Sequence, residues 1–156
     1  KTNSSKFTKP VAIALMISIG IGLHNFGEGL AIGAAVGMGS IAFSTFLIVG
    51  FALHNTTEGL AIASPMSRGK LMIGKLAIMG MIAGSPAIFG AWIGGFVYSP
   101  FTSVIFLSVG AGAIFQVIFV ILKWIQSESE ENLSGLSVVS GFAAGMIVMY
   151  LTSVLI

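Results

Sequence analysis

Long apolar runs constrain this chain more than any other feature of its sequence. Of its 156 residues, 56% are hydrophobic and only 8% are charged, whereas an ordinary soluble domain carries about 25% charged residues. A helix needs about 20 largely apolar residues to cross a bilayer, and the chain divides into five runs of about that length. We therefore predict an all-α integral membrane protein with five transmembrane helices and a lipid bilayer as its surroundings.

Turn-forming and polar stretches mark the breaks between these runs, at residues 37–40, 65–70, 98–100 and 126–132. The predicted spans are 11–36, 41–64, 71–97, 101–125 and 133–156. Because the connections are short, consecutive spans must run antiparallel. Residues 1–10 are polar and lack the pattern of a cleaved signal peptide, so we interpret them as the remnant of a cytoplasmic loop before a transmembrane domain of residues 11–156.

The distribution of basic residues predicts the orientation of the helices. Cytoplasmic loops of membrane proteins retain Lys and Arg. All seven basic residues of the chain fall on one predicted side: Lys1, Lys6, Lys9, Arg68, Lys70, Lys75 and Lys123. That side should be cytoplasmic, which places the N-terminus inside and the C-terminus on the outer side. The formal net charge of +2 is too small to indicate a nucleic acid partner.

Glycine pairs spaced four residues apart predict where helices pack closely. Membrane helices associate through small residues that let two backbones approach each other. Such pairs recur along the chain, and three of them are Gly33 and Gly37, Gly90 and Gly94, and Gly141 and Gly145. We interpret all three pairs as helix-packing positions.

A nine-residue motif occurs twice, as HNFGEGLAI at residues 24–32 and as HNTTEGLAI at residues 54–62. The copies match at seven of nine positions and are offset by 30 residues. They contain both histidines of the chain and its only carboxylates outside the 126–132 stretch. A charged carboxylate at the centre of a membrane helix costs about 2.5 to 3.5 kcal/mol even on a lenient scale. Two of them therefore indicate a partner or a function.

The spacing within the motif predicts a metal site. The histidine and the glutamate of each copy are four residues apart, so they share one helix face, and the asparagine lies beside them. If the two antiparallel spans face each other, these side chains converge on one point: His24, Asn25, Glu28, His54, Asn55 and Glu58. Imidazole and carboxylate ligands suit Zn²⁺ and other first-row divalent ions. Cysteine is absent, so thiolate ligands are excluded.

The same residues also have purely structural interpretations. A histidine and a glutamate four apart on a soluble helix usually form a weak surface pair. An asparagine in a membrane helix often serves only as a hydrogen-bonding contact between helices. The second copy of the motif favours a metal site over the first alternative, whereas ligation by Asn25 and Asn55 stays open.

These paired motifs on consecutive spans resemble the ZIP (ZRT/IRT-like) family of divalent metal transporters, particularly its GufA-like branch. The resemblance implies that residues 11–156 correspond to the last five helices of an eight-helix bundle. The three preceding helices would then be missing partners from the same protein, and a homodimer is a further assembly to consider. The implied activity is transport of Zn²⁺, or of Fe²⁺ or Mn²⁺, toward the cytoplasm, with the ion as substrate and not as a cofactor of an enzyme.

The resemblance also implies roles for the site residues. His24, Glu28, His54 and Glu58 would form the primary metal site, and Asn25 and Asn55 would face an adjacent second site. Three departures from the family pattern stand out. Gly27 and Thr57 occupy places where the family often has proline. Ala87 occupies the place of a glutamate that completes the second site, and residues 120–123, near the end of the predicted fourth span, lack the family's acidic pair. The second site is therefore expected to be weak or absent.

Two alternatives to a transporter remain from the sequence. An intramembrane metalloenzyme would use such a site for hydrolysis or oxidation, but neither copy reads H-E-x-x-H. Di-iron bundles need further carboxylates within their helices, and the predicted spans hold none beyond Glu28 and Glu58. The second alternative is a transport-inactive membrane scaffold, which the alanine at position 87 favours.

Overall fold

The computed structural model describes residues 9–67, 73–97, 99–128 and 134–155. Their fold is entirely helical, with five α-helices: α1 Lys9–Gly37, α2 Ile41–Ala63, α3 Ile73–Phe96, α4 Pro100–Glu128 and α5 Leu136–Leu155. A short 3₁₀ turn, Ser64–Met66, continues α2. The predicted all-α class is confirmed, and each helix overlaps a predicted span. Residues 1–8 of the predicted loop remnant and residues 68–70 of the basic connection lie outside the described residues, whereas Lys9 and Pro10, predicted as loop, begin α1.

Four helical stretches of the described chain are long and apolar enough to cross a membrane: Lys9–Gly37, Ile41–Met66, Ile73–Phe96 and Ser108–Ser127. The fifth predicted span corresponds to α5, whose apolar part, Leu136–Leu151, is shorter. Large apolar side chains on the outer faces are exposed, among them Trp92 at 69% and Phe96 at 79%. Four long apolar helices with such surfaces fit a multi-pass membrane protein.

The turn between α1 and α2 reverses the chain in three residues. The amide of Ser40 donates to the Ala35 carbonyl at 3.0 Å, and the amide of Gly39 donates to the Val36 carbonyl at 2.9 Å. Gly39 has a φ of 71°, which makes this a Schellman motif, with glycine at the position that needs left-handed backbone. The tight turn holds α1 and α2 as antiparallel neighbours, as the connection length predicts.

Helix α1 lies at the centre of the bundle and packs most closely on α3. A Cβ atom at Gly33 would overlap the Ala91 carbonyl, and one at Gly90 would overlap the Phe26 carbonyl. The two backbones therefore touch where the glycine pairs of these helices predict close packing. In an apolar stretch of 18 residues, half of the residues are buried in α1, whereas only 6% are buried in α2 and its 3₁₀ extension.

An apolar cluster closes one end of the bundle and ties α1 to α2, α3 and α4. Its buried members are Val11, Ala14, Ile17, Ile21, Ile62, Met66, Met79, Ala83 and Val117. The cluster includes the 3₁₀ turn at the end of α2, so this end of α2 is fixed against α1. The cluster contains Ile62, the last residue of the second motif copy, and Ile21, which lies three residues before His24.

The packing predicted for the third glycine pair is wrong for the described part of the chain. Atoms added as Cβ at Gly141 and Gly145 would meet nothing within 4 Å. Most of α5 is exposed, and it touches α2 lightly. A small-residue pair permits close approach but does not supply the helix that approaches, so the pattern alone does not determine a contact.

Candidate metal centre

The two motif copies meet near the middle of α1 and α2. Nε2 of His54 lies 2.6 Å from Oε1 of Glu28, and Nε2 of His24 lies 3.7 Å from Oε1 of Glu58. The histidine of each copy thus faces the glutamate of the other copy. This crossed pairing follows from the antiparallel arrangement, because His and Glu exchange order along the shared face when one helix is reversed.

Glu28 is the most deeply placed of the four primary residues. Its Oε1 also lies 3.1 Å from Nε2 of His24, four residues earlier on the same helix. One carboxylate oxygen therefore contacts both imidazoles. The side chain of Glu28 is 7% exposed, whereas that of Glu58 is 13% exposed and its nearest imidazole is farther away. Glu28 contacts both histidines, and Glu58 adds a second carboxylate from α2.

Groups outside the duplicated motif orient its side chains. Nδ1 of His24 lies 3.2 Å from the carbonyl oxygen of Gly110 on α4. Nδ2 of Asn25 donates to the carbonyl of Ala83 on α3 at 3.1 Å. Helix α1 therefore presents its motif while the neighbouring helices hold two of its side chains in place.

Thr57 replaces the helix-kinking proline that the resemblance leads one to expect. Its Oγ1 donates to the carbonyl of His54, three residues earlier on the same helix, at 2.6 Å. The Phe51 ring packs edge-on against His54, with 5.5 Å between ring centroids. Helix α2 is continuous through the motif, and these two contacts restrict His54.

The donor chemistry of the group fits a divalent cation. Single ligand atoms of His24, His54 and Glu58 all lie within 4.8 Å of one another. Three buried oxygens among the described residues have no hydrogen-bond partner: Asn25 Oδ1, Asn55 Oδ1 and Glu58 Oε2. A buried acceptor without a partner is costly, and a cation satisfies several acceptors at once.

The size of the group also suits a small cation. A tetrahedral Zn²⁺ with bonds of about 2.0 to 2.1 Å places its ligand atoms roughly 3.4 Å apart. Ligand atoms that lie within 4.8 Å of one another would therefore approach by about 1.4 Å at most on binding. Such a movement is within the reach of side-chain rotation without a change of helix packing.

The position of Ala87 is relevant to the second site that the resemblance implies. The backbone of Ala87 on α3 packs directly against Gly29, next to Glu28. A methyl group here supplies no ligand. The asparagine oxygens and Glu58 Oε2 are unpartnered, but α3 adds no carboxylate at position 87 to join them.

Two orienting groups could not be found from the sequence. The carbonyls of Gly110 and Ala83 contact His24 and Asn25, and every residue type has a backbone carbonyl. No feature of composition or spacing distinguishes the carbonyls of Gly110 and Ala83 from the other carbonyls of the chain. The crossing of α3 and α4 over α1 is what selects them.

Comparison of the chain with protein-family models, with curated proteins and with solved structures finds no match.

Proposed function

We propose that this chain forms the metal-binding part of a ZIP-like carrier that moves divalent transition-metal ions, Zn²⁺ foremost and Fe²⁺ or Mn²⁺ as relatives, across a membrane toward the cytoplasm. One observation carries the proposal: two crossed His–Glu pairs lie between adjacent apolar helices, and three buried oxygens of the same motif residues have no hydrogen-bond partner. Ionisable groups placed within membrane helices typically mark ion pathways.

The location of the group supports transport over a structural role. The site lies near the middle of two helices that are long enough to span a bilayer. An ion bound there would be remote from both membrane faces, as in carriers whose binding sites lie near the bilayer midplane. The asymmetry of basic residues supports the cytoplasmic placement of the N-terminal side.

The side chains can replace the water shell of an ion with complementary charge. Glu28 and Glu58 together offset the two positive charges of a divalent ion, and His24 and His54 supply neutral nitrogen ligands. The asparagine oxygens add weaker donors. The absence of thiolates keeps such a site from the tightest class of zinc binding, which suits an ion that must be released.

The test is a Zn²⁺ titration of the purified chain in detergent, comparing the wild type with the double variant Glu28→Ala, Glu58→Ala. The wild type is expected to bind stoichiometrically, and the double variant is expected to lose binding because both negative ligands are gone. Equal binding by the two proteins, or binding by neither, would remove the basis for the proposal. Binding without ion uptake by reconstituted vesicles would favour the scaffold alternative.

Zn²⁺ affinity is expected to fall as the pH is lowered from 8 to 5. Imidazole and carboxylate ligands must be free of protons to bind a metal, so protons compete with the ion at the same four side chains. The measurement is the same titration at several pH values with a matched ionic strength. An affinity that stays constant over this range would contradict ligation by His24 and His54.

A further inference from the structure

We infer that Gly110, through its backbone carbonyl, is a positioning residue that fixes the tautomer of His24 and directs Nε2 of that ring into the metal centre. The inference deepens the proposed function and rests on it for its consequence in metal binding. The hydrogen bond itself is independent of whether an ion binds.

The chemistry of the contact determines where the ring proton lies. A carbonyl oxygen accepts hydrogen bonds and cannot donate one. Nδ1 of His24 lies 3.2 Å from the Gly110 oxygen, so Nδ1 must carry a hydrogen for the bond to form. Nε2 then points away from α4, toward the carboxylates of Glu28 and Glu58.

This arrangement matches the way metal-binding histidines are usually held. A ligating imidazole commonly donates its second N–H to a carbonyl or carboxylate, which sets the tautomer and the ring plane. The partner in this case belongs to α4, a helix that contributes no other group to the primary set. Helix α4 would thus act on the ion through His24 without touching it.

A glycine at position 110 allows α4 to come close to the His24 backbone. Gly110 is buried, and a Cβ added to it would lie 3.5 Å from the His24 carbonyl oxygen and 3.7 Å from Nδ1. Both are ordinary contact distances, so alanine fits. The branches of valine would need further space between the two helices. Gly112 offers a matched control on the same helix, because a Cβ there meets nothing within 4 Å.

The first readout is nuclear magnetic resonance of the imidazole nitrogens in metal-free protein. The chain has two histidines, so ¹⁵N-histidine labelling with a histidine-free affinity tag yields two rings, which a His54→Gln sample assigns. His24 is expected to show a proton on Nδ1, both before and after Zn²⁺ is added. After Zn²⁺ is added, the Nε2 signal of His24 is expected to shift.

The second readout is Zn²⁺ affinity in glycine variants. Loss of an outer partner of a metal ligand typically lowers affinity by about 10- to 100-fold, so Gly110→Val is expected to show a loss in that range. The same variant should lose the Nδ1 proton signal of His24. Gly110→Ala and Gly112→Val are expected to keep both the wild-type affinity and the signal.

The outcomes separate this inference from the proposed function. If His24 in the wild type carries its proton on Nε2 alone, the positioning role is wrong whatever the metal affinity. If the Nδ1 proton is present but Zn²⁺ does not bind, the proposed function fails and the hydrogen bond stands. If Gly110→Val does not fold, an ester in place of the peptide bond between residues 110 and 111 weakens the same carbonyl as an acceptor without adding bulk. An unchanged His24 tautomer and an unchanged Zn²⁺ affinity in the ester variant would overturn the inference.

Discussion

Replacing Glu28 with glutamine is expected to lower Zn²⁺ affinity by more than about 100-fold, a larger loss than the 10- to 100-fold that follows removal of an outer partner. The glutamine keeps the shape of the side chain but removes a negative ligand. It also removes the negative charge from the group whose Oε1 contacts both histidines, at 2.6 and 3.1 Å. The metal-free protein should therefore change as well, with lower thermal stability and altered histidine resonances.

Glu58→Gln is the matched comparison for this prediction. It removes the same charge from the second helix, where the nearest imidazole is 3.7 Å away. We expect it to weaken Zn²⁺ binding while leaving the stability of the metal-free protein close to that of the wild type. Glu128→Gln, at the end of α4, controls for the loss of a charge outside the site. If Glu28→Gln and Glu58→Gln affect the metal-free protein equally, the bridging position of Glu28 is wrong.

Replacing Gly90 with valine is expected to damage the fold severely. A Cβ atom at this position would overlap the backbone carbonyl of Phe26, and a backbone cannot rotate away as a side chain can. Overpacked positions typically cost about 1 to 3 kcal/mol of stability, and more when helices must separate. Because α1 carries His24 and Glu28, Zn²⁺ affinity should fall with the stability.

Gly80→Val is the control for the packing prediction. Gly80 lies on the same helix, α3, and a Cβ there would meet nothing within 4 Å. The substitution is identical, so any difference between the two variants reports the α1–α3 contact. Thermal unfolding in detergent, followed by size-exclusion chromatography, is the measurement. Equal melting temperatures for the two variants would contradict the close packing of α1 on α3.

The sequence predicted the helices well but predicted their neighbours only in part. Apolar runs and turn residues place all five helices, because the length of a run and its breaks are local properties. The sequence does not predict which face of a helix packs against a neighbour, since apolar residues occur on every face of these helices. The glycine pairs on α1 and α3 predicted a contact that exists, and the pair on α5, Gly141 and Gly145, predicted one that the described residues do not form.

In the site, as in the fold, some contacts can be predicted from the local sequence and others depend on how the helices pack. The pairing of His24 with Glu28 follows from helix periodicity, and the crossed contacts follow from the antiparallel connection. The deeper position of Glu28 and the attachment of His24 to Gly110 depend on where α3 and α4 cross α1. Those crossings are set by packing along the helices, which the spacing of the motif does not predict.

The crossed pairing bears on how an ion would enter and leave the proposed transport site. Because each His faces the other copy's Glu, α1 and α2 supply the same residue types to the site, although the two crossed contacts differ in length, 2.6 Å for His54–Glu28 and 3.7 Å for His24–Glu58. An ion arriving from either end of the pair would meet the same combination of one imidazole and one carboxylate. These residue types alone set no direction, so a direction of net movement would be imposed by the ion gradients and by the helices that open and close around the site.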